Sequence, residues 1–121
     1  MTRFIILCLV ACVAEASAQT ASTQAQAEAA FREGKARMAR AQYPEACAAF
    51  DASYSLDPTV QTLLNQANCR EQNHQLATAW GLFLEAERQT RDATDEAKQK
   101  LHQVALEHAV DTDLLGDIFL S

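Results

Sequence analysis

Two stretches decide how this chain folds: FREGKARMARAQYPEACAAFDASYSLDP at 31–58 and LNQANCREQNHQLATAWGLFLEAERQTR at 64–91. A shift of 33 residues lays one over the other. Phe31 then meets Leu64, Gly34 meets Ala67 and Tyr43 meets Leu76. Ala46 meets Ala79, Phe50 meets Phe83 and Ser53 meets Ala86. Small falls on small and large on large. A pair of crossing helices needs this pattern, because the backbones approach over small residues and large ones fill the space beside them.

Local signals place helices on the pattern. Thr23 to Ala41 is rich in Ala, Glu and Arg, which are good helix formers. Tyr43-Pro44 fits a turn with Pro opening the next helix. Tyr43, Ala46, Phe50, Ser53 and Tyr54 then recur on one face. Asp57-Pro58 ends that helix, since the residue before Pro avoids the α region. Val60 to Gln72 reads as a third helix with Leu63, Leu64 and Ala67 inward, and Asn73-His74 as a turn. Leu76 to Glu87 reads as a fourth, with Leu76, Ala79, Trp80, Phe83 and Ala86 as its stripe. A fifth helix over 93–108, capped by Asp92 or Thr94, turns Ala97, Leu101, Val104, Ala105 and His108 inward and covers the end of the stack. The tail at 109–121 is short and mixed.

The order Gly34, Ala46, Phe50, Ser53, Pro58, repeated as Ala67, Ala79, Phe83, Ala86 without the Pro, resembles the tetratricopeptide repeat family. The Trp that the family carries early in each unit is replaced by Ala30 and Leu63. The resemblance implies an all-α fold: a right-handed stack of two helical hairpins, about 27–59 and 60–92, plus the capping helix, within a domain of 19–108. It also implies a groove lined by the first helix of each unit. Its positions here are Arg32, Lys35 and Met38, then Leu64, Asn65, Asn68 and Gln72. In the carboxylate-clamp class of the family, Asn and basic residues at such places hold an extended peptide end. Asn can hydrogen-bond peptide groups, and Arg or Lys can pair with a carboxylate. The alternatives for these positions are a solvated polar face or a surface used by a folded partner.

The segment before the domain reads as an export signal over residues 1–18. Arg3 supplies a positive start, Phe4 to Val10 an apolar run, and Ala16-Ser17-Ala18 a cleavage pattern before Gln19. The run is too short to span a bilayer. Leu9-Val10-Ala11-Cys12 offers a second reading, a lipobox with Cys12 acylated. Both place the domain outside the cytoplasm, either free in the periplasm or medium or anchored as a lipoprotein.

Cys8 and Cys12 belong to that segment, which leaves Cys47 and Cys69. They flank the Asp57-Pro58 turn at nearly equal distances, so antiparallel helices bring them to one level. An oxidising compartment favours pairing, with about 3 kcal/mol of stabilisation on the chain-entropy model. The alternative is two buried free thiols.

Composition narrows the function. The chain has 121 residues, 49% apolar and 21% charged, enough to bury one small core. Three Gly and two Pro are too few for a sheet built on tight turns. The net charge is −6. The bases Arg32, Lys35, Arg37 and Arg40 gather early, while acids dominate after Asp51, so no basic stripe exists for a phosphate backbone. His102 and His108 lack the spacing of a zinc pair. Asp111 and Asp113 before Gly116 make an incomplete calcium loop. No nucleophile or phosphate-loop motif is present. The expectation is therefore a noncatalytic exported adaptor, without cofactor or metal, that binds a protein or peptide in the cell envelope. The alternative is a structural or oligomerising module, as part of a larger envelope scaffold.

Overall fold

The computed structural model describes the backbone of residues 2–120 and the side chains of residues 20–110. The segment expected as an export signal, Cys12 and the tail beyond Val110 lie outside the described side chains. The chain forms five helices, α1 (Thr2–Ala39), α2 (Tyr43–Leu56), α3 (Val60–Gln72), α4 (Leu76–Thr90) and α5 (Glu96–Leu120). Among the described residues there is no strand. Each helix packs on its neighbours in sequence, and α3 also touches α5.

The two turns inside the 33-residue units are copies of each other. Ala41 and His74 both take a left-handed backbone, with φ of 57° and 60°. Ala41 N donates to Met38 O at 3.0 Å and Gln42 N to Arg37 O at 3.0 Å. One unit later, His74 N donates to Glu71 O at 3.0 Å and Gln75 N to Arg70 O at 2.8 Å. This is a Schellman closure, which satisfies the last carbonyls of α1 and α3. Side chains lock it in both copies. Arg37 Nη1 donates to Gln42 Oε1 at 3.1 Å, and Arg70 Nη1 to Gln75 Oε1 at 3.0 Å. Between the units, Thr59 caps α3 by accepting from Thr62 N at 3.1 Å.

The units also match in their cores. Phe50 and Phe83 are both fully buried, as are Ala46 and Ala79 and, on the third helix, Ala67. Phe31 meets Phe50 edge to face, with ring centroids 5.6 Å apart. The backbone of Gly34 lies under the Phe50 ring, and a Cβ there would stand 2.6 Å from Cε1. Ser53 is buried in the same crossing, and its hydroxyl donates to Ala27 O at 2.8 Å.

The apolar interior is divided. One cluster holds Ala46, Cys47, Phe50 and Cys69, with Phe31 and Met38 against it. The other holds α3, α4 and α5 together through residues including Leu63, Leu64, Ala79, Phe83 and Ala105. Cys47 and Cys69 form a disulfide with Cα atoms 5.5 Å apart, which joins α2 to α3. Beside it, Asp51 accepts from Gln66 Nε2 at 2.9 Å and pairs with Arg70.

The fifth helix departs from its sequence reading at both ends. It begins at Glu96, not 93, because Asp95 is the cap and not Asp92 or Thr94: Asp95 Oδ1 accepts from Ala97 N at 2.8 Å. It continues past the expected stop at 108, to Leu120. Its inward face is also rotated. Ala97 and Val104 are exposed, while Leu101, His102, Ala105, His108 and Ala109 turn in. His102 reaches the buried Thr90 hydroxyl at 3.0 Å, and His108 stacks on Phe83 at 4.9 Å. Aromatic and hydrogen-bonding contacts, not only aliphatic ones, set the docking angle. Trp80, expected in the α4 stripe, stays 40% exposed at its margin.

Two glycines on helices should respond oppositely to Ala. At Gly34 the clash with Phe50 costs about 1–3 kcal/mol by overpacking, which outweighs a helix-propensity gain of about 1 kcal/mol. Gly81 has nothing within 4 Å of its missing Cβ. Gly81→Ala should therefore raise stability by up to about 1 kcal/mol, while Gly34→Ala lowers it, both read by urea unfolding. Ala41→Gly and His74→Gly relieve left-handed backbones that cost an L-residue about 1–2 kcal/mol. Each should raise the unfolding midpoint, and by similar amounts, since the two turns are alike.

Candidate interaction face

The short connections reverse the chain twice, so α1 and α3 run in the same direction and face each other across a cleft. Their outward residues come from the helical period. On α1 these are Glu28, Arg32 and Lys35, all exposed. On α3 they are Gln61, Asn65, Asn68 and Gln72, of which Gln61 and Gln72 are exposed and the two Asn half-buried. The α3 row consists entirely of carboxamides, at spacings of four, three and four residues that keep one helical face. Gln61 belongs to this row and was not among the sequence-derived groove positions. The signal for it was available in the same spacing.

Arg32 and Lys35 make no ion pair among the described residues, whereas Arg37, one turn on, is held by Glu33 at 2.6 Å. Asn65 donates to Gln61 O at 2.8 Å, which fixes its amide and leaves Oδ1 to accept from outside. Two of the groove positions read from the resemblance serve the core instead. Leu64 is only 8% exposed and belongs to the second cluster. Its place one unit earlier is held by Phe31, which also packs inward. Met38 is half-buried against the first cluster. Apolar side chains flanking a helix crossing fill it before they can serve a surface.

An open cleft of about 400 Å³ lies between the helices, at the level of the α2–α3 turn. Ala27, Glu28, Phe31 and Arg32 of α1 form one wall, and Thr59, Gln61 and Thr62 form the other. Ser53 and Asp57 close the end. The cleft therefore carries charges of both signs over an aromatic floor. Asn65, Asn68, Gln72 and Lys35 extend the face beyond it.

Among the described residues no group of three His, Cys, Asp or Glu side chains could hold a metal ion. His102 and His108 are committed to α4 packing. No described helix is long and apolar enough to cross a membrane. The perturbed carboxyls lie away from the face, at the end of α4. Glu85 is held below the usual carboxylate range, first by its hydrogen bond from Arg88 and then by that from Gln89. Glu87 is lowered mainly by the hydrogen bond from Arg91, whose guanidinium is raised in return. The chain matches no family model, no curated protein and no solved structure.

The sign of the α4 effect follows from linkage. Folding lowers both carboxyl values, so the stabilisation is complete above the unfolded carboxylate value and disappears as pH falls through the lowered ones. Below about pH 4 the amides near Thr90 should lose protection relative to their intrinsic exchange rates, read by NMR. Glu85→Gln/Glu87→Gln should remove most of that pH dependence while leaving the α2 amides unchanged.

Proposed function

We propose that this protein is a noncatalytic, exported adaptor of tetratricopeptide-repeat type that docks a protein or peptide along the outward face of α1 and α3. The observation that carries the reading is the pairing of two cations without ion pairs, Arg32 and Lys35, with an uncharged row of four carboxamides on the next helix. Amides in such a row can give and take hydrogen bonds with an extended backbone, and the cations can pair with acidic side chains or a chain end. The duplicated turns and matched crossings support the repeat assignment. The buried disulfide fits an oxidising compartment, in line with an export segment cleaved before Gln19 or acylated at Cys12. Two units offer a modest surface, so affinity belongs in the weak, transient class unless several copies act together.

The exposed Leu106 and Val110 on α5 favour a second role, as a module that associates with copies of itself or with a neighbouring scaffold segment. Light scattering on the purified chain separates the two: a concentration-independent monomer removes self-association.

Capture from envelope extract tests the adaptor reading, using wild type beside Asn65→Ala/Asn68→Ala and Arg32→Ala/Lys35→Ala. Each lost hydrogen bond is worth about 0.5–1.5 kcal/mol, so the Asn pair should weaken capture about tenfold with unfolding midpoints unchanged. A partner retained equally by all three proteins overturns this face.

A further inference from the structure

We propose that the Cys47–Cys69 bond couples two separately cooperative halves, so that breaking it frees the first hairpin, α1 and α2, from an α3–α5 body that stays folded. The argument starts from the divided interior. The first cluster belongs to α1 and α2 except for one residue from α3, and that residue is Cys69 itself. The second cluster belongs to α3, α4 and α5, and takes from α2 only the half-buried Tyr54. A hydrophobic core that does not cross a boundary cannot hold the two sides of it together.

Apart from Tyr54 and the disulfide, what crosses is polar. Asp51 faces Gln66 and Arg70, and the Asp51–Arg70 pair is 43% and 23% exposed. Water screens such a pair, so its net contribution is small. Gln66 Oε1 is buried there without a partner, which costs stability at the seam. The α4 side is built differently. Thr90 and Phe83 receive His102 and His108, and α5 closes over the second cluster. The staple therefore sits at the weakest boundary of the fold. Local opening follows such boundaries, in contiguous units of secondary structure.

Opening needs two electrons and two protons, supplied by a dithiol that is itself oxidised to a disulfide. The products are the two thiols at Cys47 and Cys69, with no bond between α2 and α3. Both sulfur-bearing residues are buried, 1% and 0% exposed, so a reductant reaches them when the seam opens. One consequence rests on the proposed function: the α1/α3 face has one wall on each side of the seam, so release of the hairpin dismantles it. The coupling itself does not depend on that reading.

Hydrogen exchange followed by mass spectrometry on the full chain tests it without any partner. Three samples are compared: oxidised, reduced with dithiothreitol, and Cys47→Ala/Cys69→Ala. Amides of 27–56 should exchange about a hundredfold faster without the bond, in keeping with the loop-closure contribution, while those of 62–90 change less than about threefold. A rise shared equally by all helices would show a single cooperative unit and overturn the proposal, as would no rise at all. Loss of helical circular dichroism throughout the double variant overturns it too. Failure to capture a partner, with the segmental exchange pattern intact, counts against the docking face alone.

Discussion

The ring of Phe50 occupies the space that a side chain at Gly34 would need, and the fold is arranged around that contact. It brings α1 and α2 close enough for Ser53 to reach the Ala27 carbonyl and for Phe31 to meet the ring edge on. The same arrangement recurs one unit later, where Ala67, Ala79 and Phe83 share a cluster. A large ring set over a small residue fixes both the separation and the rotation of a helix pair. Once those are set in two successive hairpins, the first helices of both line one cleft, with polar residues outward.

The duplicated turn makes the repeat geometric as well as compositional. Ala41 and His74 accept a left-handed backbone that Gly would adopt at lower cost, and the Arg37–Gln42 and Arg70–Gln75 pairs hold it in each copy. The strain is tolerated because the closure satisfies carbonyls at a helix end that would otherwise need water. The Arg and Gln of this lock also recur at 33 residues in the sequence. Apolar periodicity carries no signal for such polar positions.

The stack is not uniform along its length. Its second half is closed by α5 through mixed contacts, with a histidine stacked on Phe83 and another on a buried hydroxyl. Its first half is tied on by a covalent bond and a partly exposed ion pair. The proposed interaction face spans both halves, so on that reading its geometry would follow the state of the seam more than that of either core.

Sequence alone determined the helical class, the ends of α2 and α3, the 33-residue equivalence and the level at which Cys47 meets Cys69. These depend on short-range rules: proline at a helix start, proline after a helix end, period, and symmetry about a turn. Only the tertiary structure decided which outward positions remain available. Leu64 and Met38 were drawn into cores and Gln61 joined the amide row, while Val104 and Trp80 were left partly in water. Helical period states which residues share a face. How far that face is rotated toward a neighbour depends on the summed packing of helices distant in sequence, and no local pattern encodes that sum.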